Sequence, residues 1–74
     1  MNILEKITQN KAAFSKSEKK VAEVILANPQ TAIHSSIATL AKMSDVSEPT
    51  VNRFCRRLDT KGFPDFKLHL AQSL

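Results

Sequence analysis

Arg53, Arg56 and Arg57 are the only arginines in the chain, and they crowd into one short stretch. A guanidinium is permanently charged and presents a planar fork of donors that fits phosphate oxygens and the O6/N7 edge of guanine. Around the three stand Ser47, Glu48, Pro49, Thr50 and Asn52. Most of these can reach a phosphate or a base edge. At about 100° per residue, Val51, Phe54, Cys55 and Leu58 fall on one stripe, the i, i+3, i+4, i+7 pattern of a helix packed on a core. Pro49, Arg53 and Arg56 gather on the opposite face, with Asn52 and Arg57 on its flanks. The spacing thus gives a helix with one apolar side and one cationic side.

Such a helix has to be held outward by something. Ser47 is a good N-cap, able to accept from the Thr50 N–H, and Pro49 sits in the first turn, where its missing N–H costs nothing. Upstream, Ile37 to about Met43 reads as a short helix that buries Ile37, Leu40 and Ala41, capped by Ser35 or Ser36. Asp45-Val46 forms the corner between the two. The motif, about residues 37–58, has the pattern of a DNA-binding helix-turn-helix whose second helix enters the major groove. An arginine-rich surface alone is more often an ordinary solvated face; the preceding helix and corner reverse that preference. The corner usually takes glycine because its backbone is left-handed. Asp45 tolerates that conformation better than most residues, because its short side chain bonds locally.

The remaining elements follow from caps, breakers and periodicity. Residues 2–13 form a first helix with Ile3, Leu4 and Ile7 inward. Ser15 and Glu18 form a capping box for a second helix that buries Val21, Ala22, Val24 and Ile25 and stops near Asn28-Pro29. Gln30 to Ser36 is a short connection with a helical turn around Ala32-Ile33. After the arginine helix, DTKGFPDF must turn, since it holds the only glycine. Phe63 and Phe66 fold back on the core. A last helix from about Pro64 presents Phe66, Leu70 and Leu74 on one side. The expected fold is all-α: a small five-helix, homeodomain-like bundle with no wing and no sheet.

Seventy-four residues make a single domain, 1–74, and an apolar share of 42 % suits a compact helical one. The net charge of +4 favours an anionic partner. Residues 1–44, ahead of the arginine helix, carry more of that excess than residues 45–74, so the clustering of arginine is the informative feature. Lys16, Lys19 and Lys20 could approach a phosphate backbone, or be ordinary solvated lysines. A single cysteine, Cys55, excludes an internal disulfide and reads as core. The N-terminus lacks a signal peptide, and no apolar run approaches the ~20 residues of a membrane span. A cytoplasmic protein with no membrane partner is expected. His34 and His69 have no i, i+4 metal-ligating neighbour, Cys55 has no adjacent base, and one glycine cannot build a phosphate loop. The sequence therefore predicts no enzyme, no metal site and no cofactor.

The run SEPTVNRFCRRL followed by KGFPDFKLHLA, with SKSEKKVAEVILANP and SIATLAKMSDVS before it, resembles the N-terminal domain of RpiR-type transcriptional regulators. The likeness covers nearly the whole chain. Asp45 and Asp59 depart from that family's commoner glycines. The resemblance implies double-stranded DNA as partner, and a regulator, expected to be a repressor, of sugar and central carbon metabolism genes. It also implies a larger protein whose C-terminal sugar-isomerase-like domain binds a phosphosugar effector. The chain ends inside an amphipathic helix, as an excised N-terminal domain would. Carried onto this sequence, Arg53 and Arg56 are assigned to guanine edges; Ser47, Thr50 and Arg57 to phosphates; Glu48 either to a cytosine amine or to repelling a wrong placement; Pro49 and Asn52 to the same face. A homodimer is expected, because one reading helix covers only a few base pairs. The rival reading is a helical interaction module docking on an acidic partner.

Overall fold

The computed structural model describes residues 2–74. Six α-helices follow one another: α1 (Ile3–Gln9), α2 (Lys16–Ala27), α3 (Pro29–His34), α4 (Ile37–Ser44), α5 (Glu48–Arg57) and α6 (Phe63–Gln72). Among the described residues there is no strand, and no helix is long and apolar enough to cross a membrane.

The expected five helices become six because Pro29 starts an element as well as ending one. Asn28 Oδ1 accepts the Thr31 N–H at 3.2 Å, and Pro29 occupies the first helical turn, where no N–H is needed. The lysine of α6, Lys67, donates to the Ser35 carbonyl at 3.0 Å, satisfying a group at the end of α3. The first helix is shorter than the pattern suggested. It ends at Gln9, where Asn10 donates from its amide side chain to the Lys6 carbonyl at 2.8 Å, and Lys11–Ala13 form a 3-10 turn. That turn aims Phe14 into the core, a placement that periodicity did not indicate.

The core gathers Ile3 and Ile7 of α1, Val21, Ala22 and Ile25 of α2, Leu40 and Ala41 of α4, and the full α5 stripe of Val51, Phe54, Cys55 and Leu58. Phe54 is its centre. Its ring lies 5.1 Å from that of Phe14 and 5.9 Å from that of Phe66, the latter edge-on. Leu74, expected on the inner side of the last helix, is exposed, since α6 ends at Gln72. Val24 and Ile37 are only partly buried and pack at the margin of the core.

Candidate nucleic-acid interface

α4 and α5 are set against each other by their caps. Ser36 Oγ accepts the Thr39 N–H at 3.1 Å and Ser47 Oγ accepts the Thr50 N–H at 3.3 Å, so each helix has a defined start. At the corner Asp45 is left-handed, with φ 58° and ψ 47°. Its N–H donates to the Lys42 carbonyl at 3.1 Å, and the Val46 N–H reaches back to Ala41 at 3.0 Å. This is the Schellman arrangement that closes a helix C-terminus. α5 ends the same way: Asp59 has φ 64°, its N–H donates to Arg56, and the Thr60 N–H donates to Cys55. Aspartates therefore fill both left-handed positions, as the sequence reading expected for Asp45. Asp59 is also fixed by Lys6 of α1 at 2.9 Å, whereas Asp45 has only a loose 3.8 Å approach to the Lys20 ammonium.

The exposed side of α5 carries the predicted residues in three groups. Glu48, Pro49, Asn52, Arg53 and Arg56 line one open surface depression. At the helix N-terminus, Ser47 is exposed, but Thr50 is buried and its hydroxyl lies 2.9 Å from Ser47 Oγ. Thr50 is thus spent on the cap, with little surface left for a partner. On the far flank Arg57 turns inward, and its Nε–H donates to Glu18 Oε2 at 2.7 Å. The sequence puts Arg57 on the flank of the cationic face; the structure ties it there to α2, and Arg53 Nε lies 3.6 Å from the same carboxylate oxygen.

Glu18 is the site residue that sequence reasoning missed. It was assigned to the capping box, and it does accept the Ser15 N–H at 2.7 Å through Oε1. It is also fully buried, with its second oxygen facing α5. A signal was available, because Glu18, Val21, Ala22 and Ile25 share the i, i+3, i+4, i+7 stripe of α2. Burial alone would raise its pKa, but the Ser15 N–H and the Arg57 guanidinium outweigh it and hold the carboxyl below the ordinary 4.5. Glu18 is therefore ionised at neutral pH.

Asn52 also has a structural task. Its Oδ1 accepts the Phe63 N–H at 3.2 Å, anchoring the start of α6, whose preceding residue Gly62 cannot cap it with a side chain. Cys55 is buried beneath the same helix, and burial pushes its thiol up to about 12. It is a core residue with no reactive role.

The model of the "Helix-turn-helix domain, rpiR family" matches residues 1–74. The chain belongs to the rpiR family of helix-turn-helix domains. It is 72 % identical over 74 residues to the HTH-type transcriptional regulator HexR of Escherichia coli, covering 100 % of this chain and 26 % of that protein. It is 56 % identical over 73 residues to HexR of Pseudomonas aeruginosa, covering 99 % of this chain and 26 % of that protein. The chain thus spans about a quarter of the length of these curated relatives. Among solved structures, the NanR protein of Vibrio vulnificus, complexed with ManNAc-6P, superposes with a TM-score of 0.93 at 38 % identity. That match covers 97 % of this chain and 28 % of the NanR chain. As an rpiR-family helix-turn-helix, the domain is the DNA-binding, regulatory part of a transcriptional regulator.

Proposed function

We propose that this domain is the DNA-reading end of a cytoplasmic repressor of sugar and central carbon metabolism genes. In this reading it acts as a homodimer on paired half-sites. A C-terminal sugar-isomerase-like domain, outside residues 1–74, binds a phosphosugar and changes the affinity for the operator. The observation that carries the proposal is the surface of α5: Arg53 and Arg56 stand exposed around one depression, opposite a fully buried stripe. Arg53 and Arg56 reach guanine edges in the major groove; Ser47 and Arg57 hold phosphates, with Glu48, Pro49 and Asn52 completing the surface. Similarity to the two HexR regulators supports the sugar-catabolic role, and the ManNAc-6P bound by NanR supports a phosphosugar effector. The alternative, docking on an acidic protein, is less favoured. The exposed large hydrophobics, Met43, Leu68 and Leu74, all lie off α5, so its face offers no apolar anchor.

The test is binding to duplex DNA across a salt series. With ~4–6 phosphate contacts per copy, log K should fall against log salt with a slope of about −4 to −5. Selection from a random duplex pool should recover inverted or direct repeats about one helical turn apart. Salt-insensitive binding would remove the DNA-reading assignment, and enriched sites without any repeat would remove the dimer.

A further inference from the structure

A fully buried carboxylate facing the DNA-reading helix needs a reason beyond capping. Gln satisfies a capping box as well as Glu does, so the cap at Ser15 does not require the charge. Oε1 of Glu18 takes the Ser15 N–H, which leaves Oε2 for α5. There it accepts from Arg57 Nε at 2.7 Å and has Arg53 Nε at 3.6 Å. The side chains of these arginines remain 47 % and 59 % exposed, so each is partly held and partly presented. Arg56, on the same helix, has no salt-bridge partner among the described residues, and the three cations are thus unequal. Free, mobile arginines bind any phosphate, and that sequence-independent attraction dominates non-specific affinity. A fixed guanidinium bound along its Nε edge keeps its outward donors in one direction.

We propose that Glu18 is a positioning residue that restrains Arg57, and through the same oxygen Arg53, against indiscriminate phosphate binding, so that α2 sets how selectively α5 reads DNA. The proposal rests on α5 being the DNA-reading helix. Glu18 lies beneath that helix and touches no base or phosphate itself. Its charge offsets part of the cationic field, and its geometry fixes the directions in which the two guanidinium groups can reach.

The test compares three variants with the unaltered chain, on the duplex it enriches from a random pool and on a scrambled duplex. Glu18→Gln keeps the cap acceptor and the volume while removing the charge. It should raise affinity for the scrambled duplex about three- to tenfold at low salt and steepen the salt slope by up to about one. The ratio of enriched to scrambled affinity should fall by a similar factor. Glu23→Gln, at an exposed position of α2, makes the same change in net charge and should shift affinity much less and leave the ratio unchanged. Adding Arg57→Gln to Glu18→Gln should return scrambled-duplex affinity to the unaltered level. Equal effects of Glu18→Gln and Glu23→Gln, or a parallel loss on both duplexes, overturn the proposal. If Glu18→Gln unfolds, the unaltered protein still decides: the Arg57 Nε–H should exchange with solvent more slowly than that of Arg56, and equal rates overturn the restraint. Absence of duplex binding by the unaltered chain would remove the DNA reading itself, whereas binding with an unchanged ratio in Glu18→Gln overturns this proposal alone.

Discussion

Asn52 Oδ1 accepts the backbone N–H of Phe63 at 3.2 Å, joining the middle of the arginine helix to the start of the last one. An asparagine reads adenine by accepting from N6 and donating to N7 at once. Here one lone pair of the acceptor is already engaged by Phe63, which leaves the second lone pair and the amide donors. Asn52 therefore helps to place α6, and the bond from Phe63 fixes the orientation in which its amide can meet a base.

Asn52→Asp keeps the acceptor and should leave helical content and melting temperature close to those of the unaltered chain. Asn52→Ala removes it and should cost about 1 kcal/mol, the usual net value of such a hydrogen bond. In a domain of this size that lowers the melting temperature by roughly 4–8 °C. Thermal unfolding followed by circular dichroism measures both. A larger loss for Asn52→Asp than for Asn52→Ala would contradict the role given to Oδ1.

Arg56 and Arg57 should separate under alanine substitution. Arg56 is exposed and unpaired among the described residues, so Arg56→Ala should leave stability within about 0.5 kcal/mol. It should also lower the ratio of enriched to scrambled duplex affinity, by about 1–3 kcal/mol if one base contact is lost. Arg57→Ala leaves Oε2 of the buried Glu18 with only the more distant Arg53, and should cost about 1–3 kcal/mol of folding stability. Denaturant titration gives the stability difference. Equal midpoints for the two variants would show that the Glu18–Arg57 bond contributes nothing.

Acid should act through Glu18. Its carboxyl is held below the ordinary 4.5 in the folded state, so the unfolded chain takes up the proton more readily. The stabilisation is complete above the unfolded value and disappears as pH falls through the lowered folded value. Between pH 7 and 5.5 the contribution should be flat; below about pH 4.5 the melting temperature should drop. Glu18→Gln should show a shallower acid loss over the same window. Superimposable acid profiles would rule out Glu18 as a contributor.

The local chemistry of this chain was legible in its sequence. Ser15 with Glu18, the pair Ser35-Ser36 and Ser47 announce three helix starts, and the structure takes Ser36 of that pair, each cap bonding only three residues along. The Val51, Phe54, Cys55, Leu58 stripe fixes which side of α5 is inside, and so leaves the arginines outside. Asp45 was placed at the left-handed corner from the pattern of the motif, and it adopts that conformation. These readings succeed because caps, corners and helical faces depend on neighbours a few residues apart.

What only the tertiary structure decided concerns partners far away in the chain. The Asn28-Pro29 pair carried both a stop and a start signal, and the end of α3 is held by Lys67 of α6, 32 residues away. Phe14 lies outside any helical stripe and is buried only because Phe54, in a helix much later in sequence, receives it. Glu18 meets Arg57 across 39 residues. Spacing within one helix describes the direction of a side chain, whereas the identity of the group it faces depends on how two helices dock. That is why the sequence could single out the arginines as one cationic face and only the packing of α2 against α5 could show that they are held unequally.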